Sequence, residues 1–471
     1  MEMRKLWAPQ VRLETGWAQD VLIECDGRGH IVALRPDCPE TTLAPTVERL
    51  RGPVLPGLVN VHSHAFQRAM AGFGDAAAKG RAGPPGDNFW TWREVMYRFL
   101  ATLGPAEVEA IATWLYIELL RCGFTTVVEF HYLHHDPSGR PYADRLELST
   151  CLLRAAERAG IALTLLPVFY AHSGFGGAPP TEGQRRFVHD VDGFLRLYDD
   201  LSAHLTGRPA TVPLRLGIAP HSLRATTPDE LAAIFAHVHR VDPRAPVHIH
   251  AAEQPAEVSA CQASLGAPPV AWLLDHVGLD ARFCLIHATH MTPDECQRLA
   301  RSRAVAGVCP TTEANLGDGL FAAPSFLAEG GRLAIGTDSH VGVDPFAELR
   351  LLEYGQRLTR GRRGVLSIDG RSVAATLFDR VAAGGAQAAD QPTSRISVGA
   401  RADLIVLDDN HPDLAGRHGD ALLDALVFAP TPAPHLIRDV YVAAHPVITA
   451  HEHPAAPQAA QAYKQTLARL T

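Results

Sequence analysis

Residues 54–70 read VLPGLVNVHSHAFQRAM, an apolar run through Pro56 and Gly57 that ends in His62-Ser63-His64. On a β-strand, side chains i and i+2 share a face, so the two imidazoles project together. Two imidazoles converging at the end of a buried strand supply half of a four-coordinate metal shell. Alone, the pair is equally well explained as two hydrogen-bonded loop histidines. The rest of the chain decides between these readings.

Downstream, strand-like apolar runs alternate with helical patterns, the mark of βαβ units and a parallel sheet. Counting 54–62, the runs are 125–132, 162–170, 214–222, 246–253, 283–290, 304–312 and 332–340, eight in all. Between them, AEVEAIATWLYIELLRCG closes on Gly123, and TPDELAAIFAHVHR carries the capping box Thr227 and Glu230. Eight units predict an α/β fold, a (β/α)8 TIM barrel over 54–390 with its chemistry at the carboxyl ends of the strands. A doubly wound open sheet is the rival, and no GxGxxG or Walker loop supports it.

Upstream, 11–35 reads as short strands around Asp26-Gly27-Arg28-Gly29, and 402–409 and 438–448 offer a matching set. Neither end has enough apolar surface to stand alone. Residues 1–53 and 391–471 are therefore expected to pair into one small β-sandwich domain, with a terminal helix over 455–470. After the first barrel strand comes GFGDAAAKGRAGPPGDNFWTWR, Gly72 to Arg93, glycine-rich and ending in two tryptophans and an arginine. Its position and aromatic finish predict a lid over the strand ends.

Composition bounds the function. Hydrophobic content of 46% and charged content of 20% belong to a globular chain with a large core. Net charge is −8 and no basic run occurs, which argues against nucleic acid and anionic membrane as partners. The opening MEMRKLWAPQVRLETGW has no apolar signal core, and no stretch is long enough to span a bilayer. The eight cysteines form no CxxC, so a reducing cytoplasm is the expected location.

Histidines gather at the strand ends: His62 and His64, His131, His221, His248 and His250, His287 and His290, then Asp338 and His340. Any one of them alone would be read as a core histidine, but as a set they predict a site. His62, His64, one histidine of the fifth strand and Asp338 make a shell suited to zinc or a similar divalent ion. His248 and His250 share a face, so periodicity leaves the choice open. His250 lies nearer the strand end, with Glu253 three residues on, and is preferred; His248 is expected to support its ring. Lys5, Lys79 and Lys464 are the only lysines and none lies on a barrel strand, which excludes a lysine-bridged pair of metals. One ion that acidifies a water is the expectation. Asp338 would take the proton, Glu253 would pass one to a leaving nitrogen, and His287 would polarise the electrophile. Arg93 and Arg224 are candidates for bidentate carboxylate binding.

The segments PGLVNVHSH, HAAE and TDSH and the sixth-strand histidine resemble the amidohydrolase superfamily, in particular its single-metal aminohydrolase branch. HSHAFQRAMAG, FWTWREVMYR, VVEFHYLHHD, GFGGAPPTEGQRRF, HSLRAT, VHIHAAEQ and TTEANLGDG look like the formimidoylglutamate deiminase family of histidine degradation. The likeness runs from the first barrel strand through the barrel and both flanks. It implies hydrolysis of N-formimino-L-glutamate to N-formyl-L-glutamate and ammonia, by hydroxide generated at one metal ion, zinc or alternatively iron. It implies metal ligands His62, His64, His250 and Asp338, with Glu253 as proton shuttle and His287 as its partner. It further implies substrate contacts from Gln67, Arg93, Tyr132, His221 and Arg224, a small-molecule substrate with two carboxylates, and a homodimer. The insert AAAKGRAGPP makes the first-strand loop longer than the family pattern. The rivals are another aminohydrolase of the same branch, acting on a nucleobase or a guanidino acid, and a catalytically dead barrel used as a scaffold.

Overall fold

The protein is described here by a computed structural model covering residues 3–73, 89–207 and 211–470. The stretch 54–70 turns out to bridge two bodies. Val54–Pro56 is a strand of a terminal sheet, paired antiparallel with Leu404–Leu407, and Leu58–Ser63 opens the barrel. Gly57 makes the change of direction between them, its backbone packed against the Thr125 side chain where a Cβ would come within 2.3 Å.

The barrel strands are Leu58–Ser63, Phe124–His131, Ala162–Phe169, the short pair Leu214–Leu216 and Ala219–Pro220, Val247–Ala251, Phe283–His287, Val305–Val308 and Arg332–Ile335. Neighbours pair in parallel in two arcs, the first four units in one and the last four in the other. Two seams close them into a (β/α)8 barrel. At one, His248 N and His250 N donate to Ile218 O and His221 O, at 3.1 Å each. At the other, Asp338 N donates to His62 O at 2.9 Å and His64 N to Asp338 O at 3.3 Å. The residues of chemical interest thus lie on the seams, where the strands splay and the regular pairing gives way to single bridges.

Helices cover the barrel, and their ends follow the local code. Thr227 and Glu230 form the expected capping box, Glu230 Oε2 accepting from Thr227 N at 2.7 Å. The helix Pro105–Arg121 is capped at Cys122, and Gly123 follows at φ 98°, the left-handed turn that starts the second strand. Buried apolar side chains such as Leu115, Phe124, Leu165 and Phe326 form one continuous core. Each contributes roughly 1.5–3 kcal/mol by burial.

Both chain ends meet in one eight-stranded sheet: five strands between Arg4 and Pro56, then Leu404–Leu407, Ile437–Val442 and His445–Ile448. Their inner residues, including Leu6, Val11, Ile23, Leu404 and Val406, share a separate apolar cluster. A buried ion pair, Arg401 Nη2 to Asp403 Oδ2 at 2.6 Å, fastens this sheet to the barrel, since the same Nη2 donates to Thr126 Oγ1 at 2.8 Å. The chain finishes with the helix Ala456–Leu470. The expected lid falls largely outside the described residues. Of Gly72 to Arg93, residues 74–88 are not described, and from Phe89 the chain is a helix to Leu100.

Candidate active site

Five side chains converge at the carboxyl ends of the first, fifth, sixth and eighth strands. His62 Nε2 lies 3.0 Å from His250 Nε2 and 3.4 Å from Asp338 Oδ1, and His64 Nε2 lies 3.3 Å from the same oxygen. His287 Nε2 is 3.9 Å from Asp338 Oδ2. His62 is shared by two ligand triads, one with His250 and His287, the other with His64 and Asp338.

These spacings fit a metal shell. With bonds near 2.0–2.1 Å, neighbouring donors in a tetrahedron stand about 3.3 Å apart. Nitrogen lone pairs facing each other at such range repel unless a cation lies between them. The ring orientations agree: His64 Nδ1 donates to Phe130 O at 3.0 Å and His250 Nδ1 to His221 O at 2.9 Å, turning each Nε2 lone pair inward. Burial, reinforced by the neighbouring imidazoles, holds His62 and His250 well below the usual histidine range. Burial lowers His64 too, against the pull of Asp338. Neutral imidazole is the form that binds metal.

Two buried carboxylates that sequence reasoning missed hold this centre. Glu129, in the middle of the second strand, accepts from Ser63 Oγ at 2.5 Å, Ala65 N at 2.7 Å and Tyr116 hydroxyl at 3.2 Å. It therefore fixes the turn between and after the two histidines. Burial pushes its carboxyl up to about 7 against those donors. Glu313 accepts from His287 Nδ1 at 3.2 Å and Cys309 N at 2.8 Å. A lone glutamate within the apolar run VVEFH was the available signal for the first, and TTEANLGDG for the second.

Glu253 Oε1 lies 3.7 Å from His287 Nε2. Burial raises the Glu253 carboxyl to about 7, against the attraction of His287. Burial opposes charge on His287, but Glu253, Glu313 and Asp338 outweigh it and raise the ring to about 10. His287 and Asp338 also hold left-handed backbones, at φ 71° and 47°. Non-glycine residues adopt this region at a cost, and such residues cluster at functional sites.

One cavity joins these groups to the expected substrate contacts. Gln67, Arg93, Tyr132, His221 and Arg224 all line it, together with His64, His250, Glu253, His287 and Asp338. Gln67 Nε2 donates to the Tyr132 hydroxyl at 2.7 Å, which leaves its buried Oε1 without a partner. Aromatic walls that were not anticipated come from Tyr97, Tyr170 and Phe187.

Besides His62, four strand-end histidines do not line the cavity. His248 does not support His250; its Nε2 pairs with Ala388 O at 2.9 Å, and the His221 carbonyl orients His250 instead. His340 bridges Thr337 and Ser63, at 2.8 and 3.1 Å, and His290 binds Asp318 O at 2.7 Å. His131 faces away, edge-on to His134 at 5.0 Å. Period-2 alternation places Tyr132 in the cavity and its neighbour outside it.

Comparison with known proteins extends the likeness over the whole chain. A model of the amidohydrolase family matches residues 54–439. The formimidoylglutamate deiminase of Pseudomonas aeruginosa is 50% identical over 469 residues, covering 99% of this chain and 100% of its own. A 5-methylthioadenosine/S-adenosylhomocysteine deaminase of Natronomonas pharaonis is 28% identical, covering 78% and 75% of the two chains. Among solved structures, an amidohydrolase from Brucella melitensis aligns with a TM-score of 0.90 and 44% identity, over 99% of each chain. An adenosine deaminase from Xanthomonas campestris with bound zinc aligns with a TM-score of 0.80 at 22% identity, over 99% and 98%, a likeness of fold.

Proposed function

The chain belongs to the amidohydrolase family, and from that premise we propose that it hydrolyses N-formimino-L-glutamate to N-formyl-L-glutamate and ammonia. The observation that carries this reading is that His64, His250 and Asp338, which meet at His62, line a single cavity with Glu253 and two arginines. Full-length similarity to a formimidoylglutamate deiminase supports it. An ion held by His62, His64, His250 and Asp338 would supply an acidified water and positive charge for the developing oxyanion. Three nitrogens and one oxygen suit zinc, which we place there.

The side chains do the rest. Asp338, whose oxygens face His62, His64 and His287, takes the proton of the attacking water. Oxygen bonds to the formimino carbon and its C=N electron pair moves to nitrogen. Glu253 delivers a proton to that nitrogen; Asp338 then takes the remaining hydroxyl proton as the formyl C=O forms, the proton it first accepted passes to the nitrogen, and the C–N bond breaks to release ammonia. Glu313 holds His287 through Nδ1, so that Nε2 presents its proton to the reacting centre. Arg93 and Arg224 take the two carboxylates of the substrate, and the unpartnered Gln67 Oε1 accepts an amidine N–H. A nucleobase would call for flat stacking and neutral amides in place of two guanidinium groups.

We place this reaction in cytoplasmic histidine degradation and the chain in a homodimer. Product analysis tests the reaction: metal-loaded protein should yield one formyl group and one ammonia per substrate. Metal-loaded protein that leaves the amidine intact would overturn the reading.

A further inference from the structure

Arg186 is among the largest fully buried side chains, only 2% exposed, yet no carboxylate among the described residues forms an ion pair with it. Two of its nitrogens donate to backbone carbonyls, and the Tyr142 hydroxyl lies beside it. Nε donates to His135 O at 2.9 Å, in the loop after the second strand, and Nη1 donates to Leu100 O. Leu100 ends the helix Phe89–Leu100, which brings Trp92, Arg93, Met96 and Tyr97 to the cavity. The backbone carbonyl of Arg186 accepts in turn from His134 N at 3.0 Å and His135 N at 3.1 Å. One residue, itself in the loop after the third strand, therefore ties together the loops that follow the first three strands.

What hangs on this tie faces the substrate space. The next residue, Phe187, packs edge-on against Tyr132 at 4.9 Å and contacts Tyr170 at 5.7 Å and Tyr97 at 6.4 Å. Three residues before Arg186, Gly183 lies so close to the Tyr97 ring that a Cβ would come within 2.6 Å of it. Tyr97 in turn lies beneath the Arg93 guanidinium, at 5.6 Å from its ring centroid. An unbroken chain of contacts thus runs from Arg186 through Phe187 and Tyr97 to Arg93. A cationic strut suits this role because one planar group donates in several fixed directions, which neither lysine nor an apolar side chain can do.

We propose that Arg186 is a positioning residue that sets where Arg93 meets the substrate's acidic tail, and so governs recognition of the tail rather than the chemical step. This rests on the proposed reaction, and the test separates the two. Steady-state kinetics on N-formimino-L-glutamate are set beside N-methylformamidine, which keeps the amidine and has no carboxylate. Wild-type protein should strongly prefer the first. Arg186→Met should raise KM for it roughly tenfold or more, with kcat within roughly threefold, because tail binding is lost equally from ground and transition states. kcat/KM on N-methylformamidine should match wild type, and Arg186→Lys should restore only part of the loss. Gly183→Ala, which pushes on Tyr97 and leaves the guanidinium in place, should reproduce the KM effect and serves if Arg186→Met fails to fold. Equal losses on both substrates, or no change on either, would overturn the role given to Arg186. A wild type indifferent to the tail would overturn the substrate itself.

Discussion

Glu253 is a carboxylate that a protein interior would ordinarily reject. It is 8% exposed, and burial, helped by Asp338 and Glu257 against the pull of His287, raises its carboxyl to about 7. A group poised there gives and takes protons near neutral pH, which a shuttle between water and a leaving nitrogen requires. Glu253→Gln keeps the shape and removes the proton traffic, so kcat should fall roughly a hundred- to ten-thousand-fold with bound metal unchanged. Metal analysis beside turnover checks this; a variant that keeps both metal and rate would remove Glu253 from the mechanism. Neighbouring residues show where reading a sequence by residue type stops. His248 and His250 have the same spacing to a face, and only the carbonyl each one meets separates a histidine held in the core from one whose Nε2 is turned to His62. Glu129 and Glu313 were overlooked because a single acid in an apolar run has no periodic signature, although each holds one of the histidine groups in place.

At the scale of elements, the eight barrel strands were legible because buried parallel strands read as near-continuous apolar runs between helical patterns. Their ends were less so. The run 332–340 is a strand only over Arg332–Ile335, and the rest turns across the first strand to form a seam. Gly336 is what permits the crossing: a Cβ there would sit 2.7 Å from His62 Cβ and 2.9 Å from His62 N. Gly336→Ala must therefore displace His62 or Asp338. The expected outcome is a folded barrel with bound metal reduced about ten- to a hundredfold in affinity, the range for losing a ligand's support. Metal titration checks it, and wild-type affinity would show that the seam tolerates the shift. The terminal sheet was legible as two half-sets of strands too small to stand alone. Its attachment was not, since Arg401 reaches Thr126 across 275 residues and leaves no local mark.

Across the whole molecule, the histidine content has a thermodynamic consequence away from the active site. His131, His134, His135 and His189 form one buried cluster, with successive ring centroids 4.7–5.0 Å apart. Burial lowers all four, His131 and His189 to about 3. An exposed histidine titrates near 6.5, so the unfolded chain takes up these protons first as pH falls. The cluster is neutral in its effect above that pH and destabilises the fold increasingly as pH falls below it. At pH 5 the fully buried His131 ring costs about 2 kcal/mol. The melting temperature should drop steeply from pH 7 to 5, and less steeply in His131→Leu; parallel curves would contradict the sign. The central claim concerns the substrate. The most direct test is ammonia release by metal-loaded protein from N-formimino-L-glutamate beside N-formimino-glycine, guanine and cytosine. Rapid release from the first alone is predicted, because Arg93 and Arg224 need two carboxylates to fill their side of the cavity. Release from a base and none from the amidine acid would contradict the account.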